Sequence, residues 1–88
     1  MHKKYKTHLD CQHGWMAVPL KDLNTLGIQD KISTSSKQKG ATVYLEGDAD
    51  LGLFMDAAEQ AGWAVQQESR NHDYWWPGRN YPSYRPST

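Results

Sequence analysis

The sequence predicts a small α+β domain on a ferredoxin-like plan, βαββαβ, with two helices on one face of a sheet. Three observations predict it. "GDADLGLFMDAAEQAG" (47–62) carries a helical apolar stripe, Leu51, Phe54, Met55, Ala58 and Ala61. "ATVYLE" (41–46) alternates, with Val43 and Leu45 pointing one way and Thr42, Tyr44 and Glu46 the other. Strand-like and helix-like stretches then follow one another in the order strand, helix, strand, strand, helix, strand.

Residues 1–12, "MHKKYKTHLDCQ", are polar and show no period, which predicts a flexible basic arm. "HGWMAV" (13–18) reads as a strand with Trp15 and Ala17 on one face and Met16 and Val18 on the other. Pro19 suits the first turn of a helix, Leu20, Leu23 and Leu26 supply its apolar side, and Gly27 suits its end. Such a two-turn helix needs packing to persist. "KISTSS" (31–36) and "ATVYLE" read as paired strands around "KQKG", where Gly40 supplies the turn. Asp48 or Asp50 can cap the second helix and Gly62 can end it. "WAVQQES" (63–69) reads as the last strand. The domain thus occupies residues 13–70, and residues 71–88 form a tail with three prolines, three tyrosines, two tryptophans and two arginines.

Composition narrows the function. Eighty-eight residues make one domain with a small core. Ten basic residues balance ten acidic ones, unlike the basic excess of a dedicated duplex-DNA binder. One cysteine, Cys11, cannot close an internal disulfide, which fits a reducing compartment. No apolar run is long enough for a membrane span, and no apolar signal region follows the basic start. The expectation is a cytoplasmic protein, complete as written.

Part of the chain resembles a known family. His13-Gly14-Trp15 before Val18, Leu26-Gly27-Ile28, Lys31-Ile32-Ser33, Ser36, Gly40 and Val43-Tyr44-Leu45-Glu46 before Asp48 and Asp50 carry the likeness. Phe54 and the late "RNYPSY" (79–84) extend it, so that it spans residues 13–84. The pattern is similar to a family of small, mostly uncharacterised proteins and domains of bacteriophages, prophages and other mobile elements. Gly47 stands where that pattern has a second acidic residue, and "WWP" departs from it. The resemblance implies a mobile-element origin and a bacterial host cytoplasm, and implies no reaction.

His8, Cys11 and His13 lack the paired spacing of zinc ligands and a fourth partner, so no metal site is expected. Cys11 with His13, and the serines at 33–36, lack a convergent base and orienter, so no catalytic residue and no cofactor are expected. Asp48 and Asp50 fit a helix start, which leaves Glu46 as a solvated strand residue. Trp75 and Trp76 are expected to pack back on the domain, because two free indoles invite aggregation. Tyr44 and Glu46 on the open sheet face, with Arg79, Tyr81, Tyr84 and Arg85 of the tail, are the expected partner contacts, since Tyr, Trp and Arg dominate protein interfaces. The resulting expectation is a non-enzymatic module that binds, and modulates or inhibits, a host bacterial protein. The alternative is a single-stranded nucleic-acid binder that uses Tyr44, the tail aromatics and Lys3, Lys4 and Lys6.

Overall fold

The computed structural model describes residues 2–10, 13–47, 49–72 and 76–85, the side chains of Pro77 and Arg79 excepted. Five strands and two helices run in the order β1 (His2–Leu9), β2 (Gly14–Pro19), α1 (Leu20–Leu26), β3 (Lys37–Lys39), β4 (Thr42–Glu46), α2 (Ala49–Gln60) and β5 (Ala64–Asn71). A 3-10 turn, Pro77–Asn80, follows. The strands form one mixed sheet in the order β3-β4-β2-β1-β5, antiparallel except for the parallel β1–β5 pair.

The largest departure from expectation is β1. His2–Leu9 is not an arm but a strand inserted between β2 and β5. A ferredoxin-like sheet would set the strands corresponding to β2 and β5 side by side, so the α+β class holds while that strand order does not. Tyr5 and Thr7 face the core at 5% and 6% exposure, while Lys4 and Lys6 face out. The inward half of the strand carries few strongly apolar residues, so its period-two signal is faint among the lysines.

The second departure is "KISTSS". It forms turns rather than a strand, and β3 is only Lys37–Lys39. The hairpin turn falls at Gly40-Ala41, with Gly40 at φ 58°. The other elements follow the sequence closely. Pro19, expected in the first turn of α1, instead ends β2 and stands at the position just before the helix, and Gly27, at φ 70°, closes that helix.

Both helices pack on one face. Leu23 of α1 and Phe54 and Ala58 of α2 join Met16, Val18, Val43, Leu45 and Tyr5 in one core. Tyr5 meets Phe54 edge-on at 5.5 Å, and its hydroxyl donates to Asp22 at 2.7 Å. Burial, and then Asp22, push that hydroxyl's pKa up. Of the expected α2 stripe, Phe54 and Ala58 are fully buried, Leu51 and Met55 are half-buried, and Ala61 is exposed. No helix among the described residues is long and apolar enough to cross a membrane.

Candidate binding face

The second face of the sheet is shared between the chain's own tail and solvent. Strand register sets His8 beside Trp15, and Lys6, Ala17 and Tyr44 in the next row. Trp76 lies over the first row. It stacks on His8 at 5.0 Å with 13° between the planes, and meets Trp15 at 4.9 Å and Tyr44 at 4.8 Å. Tyr81 packs edge-on against Trp76 at 5.7 Å and contacts Tyr44 at 5.4 Å. Trp15 and Trp76 are each 4% exposed. A β-carbon on Gly78 would run into the Trp76 ring, so the 3-10 turn is fitted around that indole.

This cover lowers the pKa of His8, first through burial and then through the charges of His72, Arg70 and Lys6. His8 Nδ1 lies 3.1 Å from His72 Nε2, a pair that shares one proton when neutral. Burial, and then Tyr81, raise the pKa of Tyr44.

Beyond Tyr81 the tail reaches the outer edge of β3. Gln38 N–H donates to Pro82 O at 2.9 Å, Tyr84 N–H donates to Ser36 O at 2.7 Å, and Lys37 bridges to Ser83. Tyr84 then enters the core, 2% exposed, and its hydroxyl donates to Gln29 O at 2.6 Å. A sheet edge that would expose unpaired amides is thereby closed by the chain itself.

The expected contact residues do not form one patch. Tyr44 and Tyr81 lie together and half-buried, with Lys39 Nζ 4.9 Å from the Tyr81 ring. Glu46 sits at one end of the face, 3.9 Å from His13. Tyr84 is a core residue, so the partner contact expected of it is replaced by packing. Arg85 is exposed on the far side of β3, beside Gln29 and Gln38. Arg79 lies in the 3-10 turn, and its side chain is outside the described residues, as are Trp75, Cys11 and Asp48.

Sequence reasoning did not assemble the surface that the described residues leave free. Lys4 and Lys6 of β1 and Lys21 of α1 border a shallow trough of about 390 Å³, lined also by Ala17, Pro19, Thr42, Tyr5 and the carboxylate-bearing Asp22. Lys3 borders it and is paired with Asp22 at 3.5 Å; Lys4 is paired with Glu68 at 3.5 Å, both partners well exposed. Among the described residues Lys6 and Lys21 have no carboxylate within 4.0 Å. The lysines of residues 3–6 stand out in the sequence, but only the strand brings them to Lys21. By contrast α2 carries Asp50, Asp56 and Glu59 and no basic residue.

Asp50, Ser33 and Ser36 serve the fold. Asp50 accepts from Ser33 N–H, Ser33 Oγ and Ser36 Oγ, the hydroxyls at 2.7 and 2.6 Å. Ser36 Oγ in turn accepts from Glu46 N–H at 3.0 Å. No group of three His, Cys, Asp or Glu among the described residues is placed to hold a metal ion. Compared with family models, curated proteins and solved structures, the chain gives no significant match.

Proposed function

We propose that this chain is a small non-enzymatic binding module of bacteriophage or mobile-element origin. It acts in the host bacterial cytoplasm by occupying, and so modulating or inhibiting, a host protein. The observation that carries the reading is the divided second face: aromatics fill one part from within, and a lysine-bordered trough is left open beside them. A trough of this kind suits an acidic surface segment, whose carboxylates would offset the unpaired charge of Lys6 and Lys21. The origin and the host setting rest on the sequence resemblance at residues 13–84.

One observation favours single-stranded nucleic acid as a second reading. Lys39, Tyr81 and Tyr44 lie next to the trough, which combines charge with rings. Against it, the rings pack on one another, which leaves little free π-face for bases to stack on. Affinity capture from bacterial lysate, with the wild type beside Lys4→Glu/Lys6→Glu, tests the first reading. Both lysines are exposed, so the variant should fold. A host protein retained by the wild type, released by salt and lost from the variant is the expected result. Equal capture by both would refute the trough as the contact. Tryptophan quenching by oligonucleotides at low salt, absent from the variant, would favour the second reading instead.

A further inference from the structure

The two sheet edges are treated differently. The tail closes the β3 edge, whereas the outer side of β5 pairs with nothing among the described residues. β5 is the longer edge, with eight residues and no proline. Its outward groups can be identified. His72 N–H donates to Leu9 O of β1 at 2.8 Å. Alternate residues of an extended chain turn their N–H and C=O to opposite sides. Residues 66, 68 and 70 therefore point to β1, and Val65, Gln67, Ser69 and Asn71 present theirs outward.

We infer that this edge binds a second copy of the same chain, β5 antiparallel to β5, about a two-fold axis through Ser69. A two-fold interface must be self-complementary, and this register is. Ser69 meets its own copy, Gln67 meets Asn71, and each of these pairs exchanges two backbone hydrogen bonds. On the second face Glu68 then stands opposite Arg70 of the second copy, and Arg70 opposite its Glu68. Centred on Glu68 the strands would set like charges together; centred on Gln67 they would leave Glu68 and Arg70 facing Gln66 and Ala64. Within one chain Glu68 already attracts Arg70, at 3.7 Å, and Lys4, and both pairs are exposed enough to rearrange. The joined sheet keeps both second faces on one side. Lys4 and Lys6 lie on β1, one strand from the junction, so the two lysine troughs would border a common surface.

Sedimentation velocity from about 1 μM to about 1 mM tests the inference, a range that spans weak to moderate self-association. The wild type should shift from monomer to dimer. Ser69→Pro should remain monomeric with unchanged circular dichroism, because proline removes only an outward donor and is tolerated on an edge. Glu68→Arg should weaken the dimer by about tenfold or more, since like charges then face each other twice. Glu68→Arg/Arg70→Glu should restore it. A wild type that stays monomeric throughout, including one that takes up only a foreign strand, overturns the inference. So does a dimer indifferent to Ser69→Pro. A double variant no better than Glu68→Arg overturns the register.

Discussion

Trp76→Ala is expected to cost about 3–5 kcal/mol of folding stability, the usual range for deleting a buried large aromatic. A domain of this size has roughly 4–13 kcal/mol in total, so the loss is a large share. It should lower the melting temperature by roughly 12–40 °C. The indole fills the space between His8, Trp15, Tyr44 and Tyr81. Its removal exposes Trp15 and loosens the 3-10 turn that delivers Ser83 and Tyr84 to the β3 edge. Trp76→Phe keeps part of the stacking and should lose about half as much or less. Urea unfolding followed by circular dichroism measures both variants. A loss below about 1 kcal/mol for alanine would mean that the indole is not packed as described.

Asp50→Ala is expected to cost a similar amount, about 3–5 kcal/mol, by a different mechanism. The side chain is 5% exposed and receives two hydroxyls and one amide. Hydrogen bonds to a charged group are worth about 1.5–3 kcal/mol each, and buried donors left behind add their own penalty. The network is directional. A carboxylate only accepts, so Ser36 must donate to Asp50 and keep a lone pair for Glu46 N–H. Asp50→Asn restores size but sends an N–H₂ or a weaker acceptor toward the serines, and should recover about half of the loss. If alanine and asparagine both unfold like the wild type in urea, Asp50 does not hold the 33–36 turn to α2.

How much of this was legible depends on where burial was concentrated. α2 and β4 bury strongly apolar positions at a regular period, and Phe54, Val43 and Leu45 announced their faces. β1 did not announce itself. Its inward Tyr5 and Thr7 are amphipathic, and its outward lysines look like those of a solvated arm; only pairing with β2 on one side and β5 on the other makes it a strand. "KISTSS" misled for the opposite reason. β-branched residues such as Ile32 and Thr34 favour strands on average, yet here Ser33 and Ser36 spend their hydroxyls on Asp50, fourteen and more residues away. The tail was legible in part. Two adjacent indoles argued for packing, and Trp76 packs. The burial of Tyr84 depends on a β3 edge whose position the sequence did not reveal, so it could not be told apart from an exposed contact such as Arg85.

Residues 76–84 belong to the folded domain, and that placement decides which part of the second face is left for a partner. Amide hydrogen exchange of the full chain, read residue by residue by NMR, tests it most directly at Gln38 and Tyr84, whose N–H groups join the tail to β3. Exchange at both sites slowed to the level of the β2–β4 ladder is the predicted result. Exchange there at the rate of an unstructured peptide, with Val43 and Leu45 still protected, would contradict it.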